Sequence, residues 1–140
     1  MSKVARPLEL APALAAAAHY SPTLLIEEFV QGREVTAGVL GETALPVVEI
    51  VPKSSWFDFN AKYTQGMTEY RVPAQLSSAQ AEAVQQAGLR AHRALHCRHF
   101  SRADLILSEA GVPIVLEVNT IPGFTPTSLL PKAAACIGIS

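Results

Sequence analysis

Four polar residues on two apolar stretches have the types and spacing that could bind a metal ion and an anion. The first stretch, PIVLEVN, ends in the carboxylate of Glu117 and the amide of Asn119. The second, SRADLIL, carries Arg102 and Asp104 at the same two-residue spacing. Strand residues two apart point to one face, so each pair presents its polar groups together. Carboxylate and amide oxygens suit Mg²⁺, and a neighbouring guanidinium can neutralise carboxylates or bind a phosphate.

A hairpin would have to hold these four residues together. The residues between the two stretches, Glu109-Ala110-Gly111, are typical of a turn, and a turn centred on Ala110-Gly111 fixes the register. It predicts these opposed pairs: Glu109 with Val112, Leu107 with Ile114, Leu105 with Leu116, and Asp104 with Glu117. Opposed Cβ atoms lie about 4.5–5.5 Å apart, so two carboxylates there repel unless a cation lies between them. An exposed Asp/Glu pair neutralised by Arg102 explains the same residues, whereas the apolar flanks and the third oxygen of Asn119 favour a metal site.

The segment after Asn119 is an unusual loop. Pro122-Gly123 favours a turn that exposes backbone N–H groups, and hydroxyl residues then lead into a predicted helix start at Thr127 or Ser128. A helix N-terminus with a hydroxyl cap can bind an anion, which would place a carboxylate or phosphate site beside the metal. An ordinary helix cap accounts for these residues equally well.

The remaining periodicities predict an α+β domain with a mostly antiparallel sheet and flanking helices. A capping-box pair, Ser77 and Gln80, precedes the most regular helical pattern. Gln31-Gly32 is predicted to be the turn of a first hairpin. Helices are expected at 7–19, at 78–97 and after Thr127 or Ser128, and strands at Thr23–Val30, Arg33–Leu40, Leu45–Val51, Glu69–Val72, Phe100–Leu107 and Val112–Val118.

Bulk properties exclude several classes of function. The 140 residues are 49 % hydrophobic and 16 % charged, with a net charge of −1, which is typical of one globular domain with a modest core. There is no basic block for nucleic acid and no apolar run long enough for a membrane span, so we predict a cytoplasmic domain. Cys97 and Cys136 are predicted to be reduced core residues. His92 and His96 have metal-pair spacing but no third ligand nearby, and we interpret them as helix-surface or partly buried structural residues.

The ordered segments EEFVQGRE (27–34), AKY (61–63), SRADLIL (101–107) and LEVNTIPGFTPTSL (116–129) together resemble the carboxyl-terminal part of bacterial D-alanine–D-alanine ligases, members of the ATP-grasp superfamily. The resemblance covers nearly the whole chain. Its most specific part is E-x-N-T-x-P-G with the upstream R-x-D. Ser101 stands where many family members have glycine.

The resemblance implies a role for each matching residue. Arg102 and the Gly123 N–H would stabilise transition-state charge, and Lys62 and Tyr63 would lie on a loop that closes over the nucleotide. The implied ligand sets are: adenine at Glu27, Phe29 and Val30; ribose at Glu34; two Mg²⁺ or Mn²⁺ ions at Asp104, Glu117 and Asn119, with Glu117 bridging; and the carboxylate of the second D-alanine at Ser128 and Leu129.

The implied reaction joins two D-alanines with ATP through an acyl phosphate, for peptidoglycan precursors. A D-alanine–D-lactate ligase, or an inactive nucleotide- or metal-binding module, remain the alternatives. Family members also have an amino-terminal substrate domain, a glycine-rich phosphate loop and a closing helix. We therefore expect residues 1–140 to be a partial ATP-grasp domain, incomplete at both ends and inactive alone, from a full-length protein that forms a homodimer.

Overall fold

The computed structural model describes residues 1–52 and 68–139, which fall into two compact units, residues 1–30 and 31–140. In the first unit a 3₁₀ turn, Pro7–Glu9, leads into helix α1, Leu10–Ala18. This confirms the helix predicted at 7–19. The Glu9 carboxylate accepts hydrogen bonds from the backbone N–H of Ala5 and from Arg6, which ties down the start of the turn.

The strand predicted at Thr23–Val30 is wrong, since residues 24–31 form neither helix nor strand. Its apolar residues do not alternate between buried and exposed positions. Leu25 and Ile26 are both exposed, at 82 % and 69 %. Gln31-Gly32 is not a hairpin turn either, because strand β1 already begins at Gly32, opposite Ser108. A Cβ at position 32 would collide with the Leu107 carbonyl, so glycine serves a close backbone approach there.

In its described residues, the second unit is built on a six-stranded sheet whose pairings are all antiparallel. The order across the sheet is β4-β3-β1-β5-β6, with the short β2 paired to β1. The strands are β1 Gly32–Leu40, β2 Thr43–Ala44, β3 Val48–Pro52, β4 Thr68–Arg71, β5 Phe100–Ser108 and β6 Pro113–Asn119. The α+β prediction is confirmed. The strand predicted at Leu45–Val51 is β3, which begins three residues later, at Val48, because Pro46 cannot donate a ladder hydrogen bond.

Helix α2, Ser78–Ala94, covers one face of the sheet. Its predicted capping box is confirmed: Ser77 Oγ accepts from the Gln80 N–H and Gln80 Oε1 accepts from the Ser77 N–H, at 3.3 and 3.1 Å. The helix ends three residues before the predicted position, and His96 adopts a left-handed φ of 52°, which stops the helical path. Gly88 lets it approach β1, since a Cβ there would lie 2.5 Å from that of Ala37.

Helix α3, Leu129–Ala135, packs on the opposite face, where Leu130 fills the space over Gly38. Ala37 and Gly38 are consecutive strand residues, so the two helices lie on opposite sides of β1. Two apolar clusters result. The first contains Val35, Ala37, Val47, Val84, Ala87, Ala103, Leu105 and Leu107, and the second Leu45, Val48, Leu130, Ala133 and Ala134.

Both cysteines are free, as predicted, but their placement in the core is wrong. Cys136 is exposed at the end of α3, and Cys97 is only half-buried just beyond α2. Among the described residues, no helix is long and apolar enough to cross a membrane.

Candidate active site

The β5–β6 hairpin brings Asp104 opposite Glu117, as predicted, and Arg102 opposite Asn119. The rest of the predicted register is off by one, because Leu107 faces Pro113 and Leu105 faces Val115 rather than Ile114 and Leu116. Ser108, not Glu109, bonds to Val112 across the turn. A register shift between Asp104 and Leu105 leaves Leu116 as an extra residue on β6 and restores the predicted pairing beyond it.

The four polar side chains form one hydrogen-bonded cluster on the face of the sheet that also carries α3. The Arg102 guanidinium donates two hydrogen bonds to the Asp104 carboxylate, from Nε to Oδ1 at 2.7 Å and from Nη2 to Oδ2 at 2.8 Å. The Asn119 amide nitrogen donates to Asp104 Oδ2 at 3.1 Å and to Glu117 Oε1 at 3.3 Å. Arg102 and Asp104 are each 16 % exposed, and Glu117 is exposed at the strand edge.

The guanidinium is held in its charged form. The hydrogen bond to Asp104 raises the pKa of Arg102 above its ordinary value, and it outweighs the opposing effect of burial. The charges of Asp104 and Glu117, and the nearby Tyr70, raise this pKa further. Arg102 is therefore a fixed positive charge at any physiological pH, beside two carboxyl groups on neighbouring strands.

The donor set of this cluster suits a hard divalent cation. Two carboxyl groups face each other, and half a turn of the Asn119 side-chain amide would present its oxygen instead of its nitrogen. Arg102 now occupies both Asp104 oxygens, so a cation at Asp104 requires this ion pair to open. Among the described residues, no group of three His, Cys, Asp or Glu side chains lies close enough to hold a metal.

The loop after β6 is organised by hydroxyl groups. Ser128 is the N-cap of α3 by position, but its side chain does not bond to a helix N–H, so the predicted hydroxyl cap is wrong. Ser128 Oγ instead accepts from the Thr125 N–H at 3.2 Å and bonds to Thr125 Oγ1 at 2.8 Å, and Thr127 joins at 3.0 Å. A Cβ on Gly123 would lie 2.6 Å from Ser128 Oγ, so glycine makes room for this hydroxyl.

The other predicted site residues are distributed over the chain. Glu27 and Phe29 are exposed and Val30 is half-buried, all within the unit of residues 1–30. Glu34 lies on β1, two residues from Thr36, which is opposite Asp104, so Glu34 is on the face of the acidic cluster. Leu129 begins α3, half-buried beside Ser128. The predicted loop residues Lys62 and Tyr63 lie outside the described residues.

Two features were missed from the sequence. His92, read there as surface or partly buried, is completely buried, and its Nδ1 lies 2.7 Å from the hydroxyl of the equally buried Ser101. The other is Lys132, whose ammonium lies over the ring of Tyr70. The four-residue spacing of Ser128 and Lys132 was the available indication, because it places both on one side of α3.

The fold is that of the carboxyl-terminal region of ATP-grasp ligases. The crystal structure of a D-alanine–D-alanine ligase from Bacillus anthracis complexed with ATP matches with a TM-score of 0.79 at 34 % identity, over 96 % of this chain and 44 % of that one. The VanG D-Ala:D-Ser ligase from Enterococcus faecalis matches with a TM-score of 0.83, also at 34 % identity, over 96 % of this chain and 40 % of that one.

The chain belongs to the D-ala D-ala ligase C-terminus family, whose model matches residues 1–140. Among whole-length relatives, the D-alanine–D-alanine ligase of Halalkalibacterium halodurans is 50 % identical over 137 residues, which cover 94 % of this chain and 45 % of the relative. The chain therefore spans less than half the length of the relatives it matches.

Proposed function

We propose that this chain is the metal- and phosphate-binding part of a D-alanine–D-alanine ligase, which joins two D-alanines at the expense of ATP. The observation that carries this proposal is the cluster of Arg102, Asp104, Glu117 and Asn119 across two paired strands. Such a cluster suits one task above others, which is to hold a cation and the phosphate oxygens beside it. Family membership and the ATP complex of a solved relative support it.

Asp104, Glu117 and Asn119 would hold two Mg²⁺ or Mn²⁺ ions. Such ions neutralise phosphate charge during transfer. Beside these ions, the planar guanidinium of Arg102 would bind phosphate oxygens. Together with the Gly123 N–H, the Arg102 guanidinium would stabilise the negative charge that develops in the transition state.

The remaining roles follow the residues that match the family. Glu27, Phe29 and Val30 would contact adenine, Glu34 the ribose, and Lys62 and Tyr63 the phosphates and the reacting groups. Ser128 and Leu129 would hold the carboxylate of the second D-alanine. A hydroxyl that bonds to Thr125 rather than to its own helix leaves the first α3 N–H groups for such an anion.

The reaction has two steps. A carboxylate oxygen of the first D-alanine attacks the γ-phosphorus, which forms an acyl phosphate and releases ADP. The amine nitrogen of the second D-alanine then attacks the acyl carbon, so that a C–N bond forms, phosphate leaves and the amine loses a proton. The chain's own contribution is to orient these groups and to neutralise their charge, which accounts for most of the catalysis in such reactions.

A hybrid ligase tests the proposal, with these 140 residues replacing the matching segment of the Halalkalibacterium halodurans relative. We expect D-alanine-dependent ADP release and formation of the dipeptide. An Asp104→Asn hybrid should lose more than about 100-fold in activity, since even indirect disturbance of metal ligands costs about 10- to 100-fold. Offering D-lactate or D-serine as the second substrate distinguishes related ligases.

Two outcomes would contradict the proposal. A monodisperse hybrid that binds ATP but forms no dipeptide would refute the assigned reaction. An Asp104→Asn hybrid that keeps full activity would refute the assigned metal site. The 140-residue chain by itself is the matched comparison, and we expect it to be inactive with D-alanine and ATP.

A further inference from the structure

Lys132 lies at a well-defined place next to the candidate active site. Its backbone N–H donates to the carbonyl of Ser128 at 3.2 Å, and the two residues are one helical turn apart on the same side of α3. The side chain is half-buried, and its ammonium lies 4.8 Å from the centroid of the Tyr70 ring. A cation over an aromatic face at this distance is attracted by the ring, which fixes where the charge lies.

The Tyr70 ring lies on the face of the sheet that carries the acidic cluster. Directly opposed strand residues share a face, and Tyr70 is opposite Ile50, which is opposite Glu34. Glu34 is two residues from Thr36, the partner of Asp104. Tyr70 also lies close enough to Arg102 to contribute to its raised pKa. The Lys132 ammonium therefore lies on the face of the sheet that carries the acidic cluster.

The charge of Lys132 is the unexplained part of this arrangement. The arginines of the sheet are committed, because Arg33 pairs with Glu49, Arg71 with Glu69, and Arg102 with Asp104. No carboxylate of the described residues lies within 4.0 Å of the Lys132 ammonium. An ammonium held over a ring, on a half-buried residue beside a face proposed to bind anionic substrates, is placed to receive an anion.

We propose that Lys132 is a second substrate-binding cation of this site and that Tyr70 positions it. Its ammonium binds an anionic oxygen, either the carboxylate of the second D-alanine or a phosphate of ATP. The inference rests on the proposed function and adds a residue to it.

The test compares Lys132→Met, Lys132→Arg, Tyr70→Leu and Tyr70→Phe in the hybrid ligase. A charge-assisted hydrogen bond is worth about 10- to 100-fold in affinity, so Lys132→Met should raise a KM by roughly that factor. A rise for the second D-alanine identifies the carboxylate, and a rise for ATP identifies the phosphate. Lys132→Arg should recover most of the loss. Tyr70→Leu should reproduce part of it, and Tyr70→Phe, which keeps the ring, should behave as the parent.

Controls and a second measurement keep the outcomes distinct. Arg90→Met removes an exposed positive charge from α2 and should leave both KM values unchanged. If Lys132→Met leaves both KM values within about twofold in an active hybrid, the role of Lys132 is refuted while the ligase function stands. An inactive wild-type hybrid refutes the ligase function instead. In that case, Lys132 is acetylated in the presence of saturating ATP or D-alanine, and the extent of acetylation is measured by mass spectrometry. If neither ligand protects Lys132, the inference is overturned.

Discussion

The two faces of strand β5, which alternate residues form, differ in polarity and in burial. Toward α2 it presents Ser101, Ala103, Leu105 and Leu107, all at most 2 % exposed. Toward the other face it presents half-buried side chains, among them Arg102 and Asp104. Helix α2 covers the first face along the strand, whereas α3 packs on the second face and leaves Arg102 and Asp104 only half-buried.

This difference separates stability from chemistry. On the α2 face, His92 and Ser101 form a fully buried polar pair and Arg33 pairs with the buried Glu49, while the core cluster itself is apolar. On the other face, Arg102, Asp104, Glu117 and Asn119 form a hydrogen-bonded charged cluster beside the apolar contacts of α3. Substitutions on the two faces should therefore be separable, the first changing the free energy of unfolding and the second changing catalysis.

The largest expected effect is on the face of the sheet that α2 covers, which we call the closed face; the face that carries Arg102 and Asp104 is the open face. Leu105→Ala removes a fully buried side chain between β1 and α2 and should lower the free energy of unfolding by about 2–5 kcal/mol. Urea unfolding of the 140-residue chain measures this loss. Leu116→Ala is the matched control, because Leu116 is 48 % exposed at the β6 irregularity and should change stability by no more than about 0.5 kcal/mol. Equal losses for both variants would contradict the division between the faces.

On the open face, Arg102→Lys should lower kcat of the hybrid by about 10²–10³-fold, the range found when a donor to developing charge is removed. Lysine keeps a charge but cannot grip Asp104 or a phosphate through two parallel bonds. The free energy of unfolding should change less than kcat does, because lysine keeps a positive charge beside the largely buried Asp104 carboxylate.

The pH dependence gives this substitution a second measurement. A raised pKa means that the contribution of Arg102 is complete below its unfolded pKa and is lost only as pH rises through the higher folded value. The parent should therefore show no loss of kcat at alkaline pH that is due to this residue. In the Arg102→Lys variant, the ordinary lysine pKa of about 10.4 moves such a loss of kcat to a lower pH. An unchanged kcat for Arg102→Lys would remove Arg102 from the catalytic group.

The sequence predicted the strand pairing at the site better than the pairing next to the hairpin turn. The two-residue spacings and the Asp104–Glu117 pairing were correct, but the pairs nearer the turn were off by one and only the irregularity at Leu116 restored the register. A turn in sequence indicates that a hairpin exists, whereas its register depends on packing between strands distant in the chain. The apolar run at residues 23–30 failed as a strand for a related reason, since strand residues need a pairing partner that local composition does not specify.

His92 and Ser101 illustrate the same limit and give the smallest of the expected effects. From the sequence, serine before Arg102 was a substitution for the glycine of many relatives. In the structure its hydroxyl bonds to the buried imidazole of His92, whose Nε2 has no other partner among the described residues. Ser101→Ala leaves both ring nitrogens unpaired and should lower the free energy of unfolding by about 1–3 kcal/mol, with kcat of the hybrid unchanged.

A double variant decides whether this loss of stability comes from the broken hydrogen bond or from the space that the removed hydroxyl leaves. Replacing both partners of a buried hydrogen bond by apolar groups can be nearly neutral, so His92→Leu with Ser101→Ala should be more stable than the sum of the two single losses predicts. Strict additivity in urea unfolding would mean that the two side chains act independently. A parallel fall in kcat would mean that the closed face also positions Arg102, one residue along the strand, and that the two faces of β5 are coupled.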